Sequence, residues 1–188
     1  MSSLKSAGMS IVFAALLAFL AGAPTSATAA SAAEIDRDAA NALADLYREV
    51  PAAKALAKQA RAVLIFPSVV KGGLLIGGEY GQGVLRQGDK AMGYFEILGV
   101  SYGLQAGAQS FSYVLFFMTD SALQYAKESD GWEFGTGPSV VVLDEGMAKS
   151  FSTTTARDDI YAFVFGQEGL MAGLGLKGSK ISRIQPEQ

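Results

Sequence analysis

The sequence predicts an α+β fold: two N-terminal helices packed on a strongly curved, barrel-like antiparallel sheet with one short inserted helix. Three observations carry this. Apolar residues recur at helical spacing from Glu34 to Ala60; from Ala62 the period changes to short apolar runs at hairpin-like intervals; and glycines stand inside those runs as well as between them. A residue without Cβ tolerates sharp bends and close backbone approach, so glycines within strands point to a sheet that coils tightly.

Residues 1 to 32 read as a secretory signal peptide. Lys5 is the only charged residue before Glu34, the apolar run Ile11 to Leu20 is too short to span a bilayer as a helix, and Ala27-Thr28-Ala29 and Ala30-Ser31-Ala32 both fit an A-x-A-like cleavage site. No cysteine follows, which excludes lipoprotein processing, and no twin arginine is present, which favours the general secretory route. The expected location is the periplasm or beyond. Residues 34 to 188 suit one domain, which at this size buries about two-thirds of its unfolded surface and needs no disulfide.

Loss of the leader removes one basic residue and no acidic one, taking the net charge from −3 to −4. A mildly acidic chain lacks the basic footprint of a nucleic-acid binder. With no His and no Cys, the chain cannot build a Ser-His-Asp triad, a cysteine nucleophile, or a nitrogen or thiolate metal site. No metal and no cofactor is expected, and only carboxylate, Lys, Tyr or Ser-Lys chemistry remains.

The first helix, Glu34 to Val50, places Ile35, Ala39, Ala42, Leu43, Leu46, Tyr47 and Val50 on one side, with Asp36, Asp38, Asp45 and Glu49 mostly opposite. Pro51 suits the first position of a second helix running on through Ala52 to Ala60. On it Lys54, Lys58 and Arg61 fall at i, i+4 and i+7, a basic stripe that serves either as a contact for anionic head groups or as a solvated face. Ala62 to Phe66 reads as a buried strand ended by Pro67. Gly72 to Tyr80, Gly83 to Arg86, Ala91 to Ile97, Val100 to Gln109 and Ser112 to Met118 follow as strands of an antiparallel meander. Gly81-Gln82 and Gln87-Gly88-Asp89-Lys90 supply the turn chemistry. Thr119 or Asp120 caps a short helix, Ser121 to Lys127. Strands resume at Trp132 to Phe134, Ser139 to Leu143, Ile160 to Phe165 and Leu170 to Ile181. Ile160 to Phe165 is apolar on both faces, so one face is core and the other is covered, with the N-terminal helices as the expected cover.

Motifs with known chemistry fail on context. Gly173 to Gly178 matches G-x-G-x-x-G, yet no βαβ unit surrounds it. The Gly77 to Gly83 stretch lacks the ending of a P-loop. Ser68-Val69-Val70-Lys71 matches the S-x-x-K of penicillin-recognising enzymes, but their S-D-N element is missing. The acidic pairs Asp144-Glu145 and Asp158-Asp159 read as solvated turn residues. Phe111, Tyr113, Phe116, Phe117, Phe134 and Phe151 are expected in the core; Trp132, beside Gly131 near a turn, reads either as core with them or as a half-exposed ring that inserts at a membrane interface.

The Lys71-Gly72-Gly73 to Gly83-Val84 block after Ile65-Phe66-Pro67, the glycine and aromatic run from Gly99 to Phe117, and Gly169-Leu170-Met171-Ala172-Gly173-Leu174 leading to Lys177-Gly178-Ser179 together resemble the SYLF lipid-binding domains. In order, they cover residues 36 to 183. The resemblance implies membrane binding through anionic phospholipids, phosphoinositides in eukaryotic members, some of which also bind and bundle actin. It implies no catalytic activity. Eukaryotic members often add a basic amphipathic N-terminus and an SH3 or FYVE module, which this sequence does not show. For a secreted bacterial member, phosphatidylglycerol or cardiolipin is the expected ligand.

The sequence therefore leads to a non-enzymatic protein held peripherally on anionic membrane. Its expected contacts are Lys54, Lys58, Arg61 and Lys71, with Lys177, Lys180 and Arg183 as a second basic group. One alternative is a carrier enclosing a lipid or hydrophobic small molecule in the curved sheet; another is a hydrolase using Ser68 and Lys71.

Overall fold

The computed structural model of the chain describes residues 30–129, 131–133, 137–144, 146–147 and 157–187, with backbone alone at 103–105 and 171–177. Residues 1–29 of the expected leader, Phe134, Glu145 and Phe151 lie outside the described residues.

Helix α1 spans Ala32–Glu49 and opens two residues earlier than the apolar period suggests. The reason is a capping box: the Ser31 hydroxyl accepts from the Glu34 backbone N–H, and the Glu34 carboxylate accepts from the Ser31 N–H at 2.8 Å. That Ser31 N–H bond, with the Ser31 hydroxyl donating to the same carboxylate oxygen at 2.9 Å, holds the Glu34 carboxyl below its ordinary range. Ile35, Ala39, Ala42 and Leu46 form its buried stripe. Helix α2, Pro51–Ala57, starts on proline as expected but ends three residues before Ala60. Its buried residues are Ala53 and Leu56.

The sheet departs most from the expected meander. Three long strands replace many short ones: β1 (Ala62–Gln87), β2 (Lys90–Phe117) and, after helix α3 (Asp120–Glu128) and two short strands, β5 (Ile160–Ile184). The short strands are β3 (Trp132–Glu133) and β4 (Val140–Leu143). The order is β1-β2-β5-β3, antiparallel throughout, except that β4 runs parallel to the start of β5. Features read as strand breaks are absorbed as bulges. Pro67 sits where the β1–β2 register slips between Phe66 and Val69, a place that asks no ladder N–H of it, and Ser112 Oγ donates to its carbonyl at 2.8 Å. Gly81-Gln82 is strand interior, paired with Ile97 and Glu96; the hairpin turn is at Gly88, φ +60.

β1 doubles back on itself. Leu75 takes φ +65, and the register slips between Leu74 and Ile76. Beyond this bend Gly77 returns past Gly73, Gly81 past Ser68 and Val69, and Gly83 past Ile65. Pairs 73 with 77, 81 with 68 and 83 with 65 step away from Leu75 on both sides, so the two halves of β1 lie face to face and β2 and β5 fold with them. Among the described residues β1 pairs with β2 alone, and β3 and β4 with β5 alone. The sheet is thus a curled half-barrel and does not close into the barrel anticipated from the glycines.

Two cores result. Leu64, Phe66, Val69, Leu85, Phe95, Ile97, Tyr113 and Leu115 fill the space between the two layers. On the outside of the first layer, Ile65, Val114, Phe116, Tyr161 and Phe163 pack beneath the buried stripes of α1 and α2. The Ile160 to Phe165 run is therefore buried on both faces, with the helices as the cover. Arg86 Nη2 donates to Asp36 Oδ1 at 3.0 Å and the Tyr94 hydroxyl to Asp36 Oδ2 at 3.0 Å, tying α1 to the hairpin end of the sheet.

Helix α3 is capped by Thr119, whose hydroxyl accepts from the Ala122 N–H and donates to Asp159 Oδ1 at 3.0 Å. Asp159 Oδ2 accepts from both the N–H and the hydroxyl of Ser139. Asp159 thus joins α3, the entry of β4 and the start of β5, a larger role than that of a solvated turn residue. Its carboxyl lies below the ordinary 3.8, chiefly through the Ser139 N–H.

Candidate functional site

The end of the sheet where β1 doubles back carries an uncovered apolar face. After the bend, Ile76, Gly78 and Tyr80 stand opposite Tyr102, Val100 and Leu98, and period-2 alternation puts all of them on the outer side. Before it, Val70 and Leu74 face outward too. Relative exposures run from 45% at Tyr80 and 49% at Leu98 through 64% at Ile76, 68% at Val100, 70% at Tyr102 and 74% at Leu74 to 88% at Leu170. Geometry explains the lack of cover. The strand from Ala62 to Leu74 runs for about 43 Å at ~3.3 Å per residue, while the 18 residues of α1 reach about 27 Å. The helix layer ends short of the fold-back. A run of this many large apolar side chains on one surface is uncommon on a protein that meets only water and marks an interaction site.

The inner side of the same region holds the buried polar residues Glu79, Ser101 and Ser179. Glu79, Gly99 and Ser179 form one row across β1, β2 and β5. A Cβ on Gly99 would sit 2.4 Å from Glu79 Cγ, so the bare glycine is what lets the Glu79 side chain cross β2. It meets the Ser179 hydroxyl, which donates to Glu79 Oε1 at 2.6 Å. Glu79 is 5% exposed and Ser179 7%. Ser101, one row along opposite Gly77, is also buried. Burial, with the Glu79 charge adding to it, pushes the Tyr113 hydroxyl well above its ordinary 10, so it stays protonated. Beside this row a cleft of about 250 Å³ opens between the layers, lined by Phe111, Tyr113, Glu133, Val142, Val164, Gly178 and Ser179.

The expected basic residues separate into two regions. Lys54 and Lys58 are exposed, but Lys58 is the C-cap of α2 and Arg61 lies beyond the helix, its side chain 3.4 Å from exposed Asp120. One helical stripe is therefore not formed, and an exposed pair like Arg61–Asp120 contributes little. Arg183 belongs to the same helix-covered end, with Nη2 donating to the Met92 carbonyl at 3.1 Å. Lys71, half-buried opposite Gln109, and Lys180, exposed opposite Leu98 and Glu133, lie nearer the fold-back. Lys177 occupies the register position opposite Ser101. Spacing three along a strand sets Lys180 and Arg183 on its opposite faces, so they do not make one patch.

Trp132 is 3% exposed, its ring edge-on to Phe117 with centroids 6.3 Å apart. Its partner position is buried Ile181, so the ring is part of the interlayer core and does not reach a membrane surface as the neighbouring glycine suggested. Ser68 lies in the Pro67 bulge and Lys71 along the same extended strand, about 10 Å apart at ~3.3 Å per residue, so the S-x-x-K spacing does not bring them together as one helical turn would. Both glycine-rich runs are strand. Sequence reasoning passed over Glu79 and the exposed apolar face. The signal for Glu79 was a lone carboxylate in phase with inward-facing Gly77 and Gly81.

No curated protein matches the chain. Residues 98–187 match the sequence profile of the Ysc84 family, described as Las17-binding protein actin regulator. That span begins in β2, takes in the Ser101 and Ser179 positions, and runs to the end of β5. The resemblance drawn above from the glycine and aromatic blocks is thus met independently over residues 98–187, which are similar to the Ysc84, or SYLF, domain.

Proposed function

We propose that this protein is a non-enzymatic lipid-binding protein that docks peripherally on membranes through the fold-back end of its half-barrel. The observation that carries this is the outward apolar face around Leu74, Leu75, Ile76, Val100, Tyr102 and Leu170. Lipid binding is one of the properties the family resemblance brings, and this surface suits it. Lys71 and Lys180, the described lysines nearest that end, add attraction to anionic head groups of about 1 kcal/mol each. Arg61, just before the start of β1, lies about 40 Å along the strand from it. That exceeds several screening lengths at physiological salt, so it contributes little to the same contact. Vesicle co-sedimentation tests the reading. The protein should bind vesicles containing phosphatidylglycerol more tightly than phosphatidylcholine alone, and part of the binding should survive high salt. No binding to either vesicle would sink it.

The cleft beside Ser179 favours a second reading, a carrier of a small hydrophobic molecule held between the layers of the sheet.

For a secreted chain the membrane is one facing the periplasm or exterior. The leader should be cut after Ala29 rather than Ala32, because cutting after Ala32 removes Ser31 and with it the capping box of α1, worth about 1 kcal/mol. Intact mass of the mature protein should show Ala30 as the first residue; a start at Ala33 would refute this.

A further inference from the structure

The geometry points to the interlayer cleft as a binding site for a small amphiphile whose apolar body carries a hydrogen-bond-donating, positively charged head, of the primary alkylammonium class. The inference rests on the carrier reading and names its ligand. The walls, Phe111, Val142 and Val164, are apolar, and the polar lining is Tyr113 and Ser179, with Glu133 exposed at the rim opposite Lys180. About 250 Å³ falls just below the range of roughly 300–1,000 Å³ of drug-sized sites, which suits one short chain with its head.

The Ser179–Glu79 bond decides the head group. A hydroxyl has one proton to donate, and Ser179 gives its proton to Glu79 Oε1. What Ser179 then offers the cleft is lone pairs, so the matching group must be a donor. A carboxylate or phosphate oxygen would meet an acceptor, with the Glu79 carboxylate behind it. An ammonium meets both favourably, in a site where low local dielectric strengthens the attraction. At the rim, Glu133 stands opposite Lys180 in register. The bare Gly99 that lets Glu79 reach Ser179 is the third part of the device.

The test is calorimetric titration of the mature chain with octylammonium, octanol and octanoate at neutral pH. Octylammonium should bind at least tenfold more tightly than octanoate, with octanol between. Glu79→Gln should erase the preference of ammonium over octanol, and Gly99→Ala, which displaces the Glu79 side chain and leaves its charge, should reduce it. Val142→Trp, at a partly exposed wall position, should weaken all three. Thermal melts confirm that each variant is folded. Equal binding of all three ligands, or a preference that survives Glu79→Gln, overturns the inference and leaves the carrier reading standing. Failure of all three to bind overturns both and leaves the membrane reading untouched.

Discussion

Gly83→Ala is expected to destabilise the protein by about 3 kcal/mol, a fall in Tm of roughly 6–12 °C. An alanine Cβ at that position would lie 2.3 Å from the Ile65 carbonyl oxygen, 2.7 Å from the Phe66 ring and 2.9 Å from the Ile65 carbonyl carbon. Neither obstacle can swing away. Ile65 and Phe66 are fully buried and locked into the β1–β2 ladder, so relief requires the two layers of β1 to move apart. Separation would loosen Leu64, Phe66, Leu85 and Phe95, the residues packed between the layers. Gly72→Ala is the matched control, since its Cβ would meet Ala108 and the Gly107 carbonyl at an ordinary 3.7 Å. That variant should lie within about 0.5 kcal/mol of the parent. Chemical denaturation of both decides the matter. Equal midpoints would mean that the glycines do not serve layer contact at all.

How much of this was legible in the sequence follows from range. The helices could be read because their signals are local: the spacing of Ile35, Ala39, Ala42 and Leu46, and Pro51 at a first turn. The start of α1 was misplaced because Ser31 belongs at once to a capping box and to a small-residue tract that looks like a cleavage site. The sheet was legible in kind and not in topology. Pro67 and Gly81-Gln82 carry the local chemistry of strand ends, yet long-range pairing with β2 overrides both, and one slips into a bulge while the other faces the opposite layer. Glycine spacing correctly implied tight coiling, but whether a coiled sheet closes depends on what meets its edges, which no local pattern encodes. The same limit governed the site. Lys54, Lys58 and Arg61 were chosen by helical spacing, and α2 stops before that spacing is complete. Trp132 was judged by its neighbour Gly131, whereas its fate is set by Phe117 and Ile181 across the sheet. The apolar face was hidden because Leu74, Ile76, Val100 and Tyr102 look like core residues until one knows that the helices end short of them.

Leu74→Ala with Ile76→Ala is expected to weaken vesicle binding about a hundredfold or more while leaving stability within about 0.5 kcal/mol. Each side chain is mostly exposed, 74% and 64%, so little folding energy rests on it. Insertion into lipid, by contrast, removes most of that area from water, and burying such a side chain is worth about 1.5–3 kcal/mol. Two together exceed the ~1 kcal/mol of any one lysine near an anionic surface, and they do not fade with salt. Lys71→Ala with Lys180→Ala should therefore produce a smaller loss that vanishes at high salt. Leu75 separates a functional role from a structural one more sharply. It holds a left-handed φ of +65, where a leucine costs roughly 1–2 kcal/mol, and it leaves 55% of its surface exposed. Leu75→Gly should raise stability by about 1 kcal/mol and at the same time weaken vesicle binding about tenfold, opposite signs from one substitution. If Leu75→Gly stabilises the fold and vesicle binding is unchanged, the fold-back end does not enter the membrane, and the apolar face must be explained by another partner.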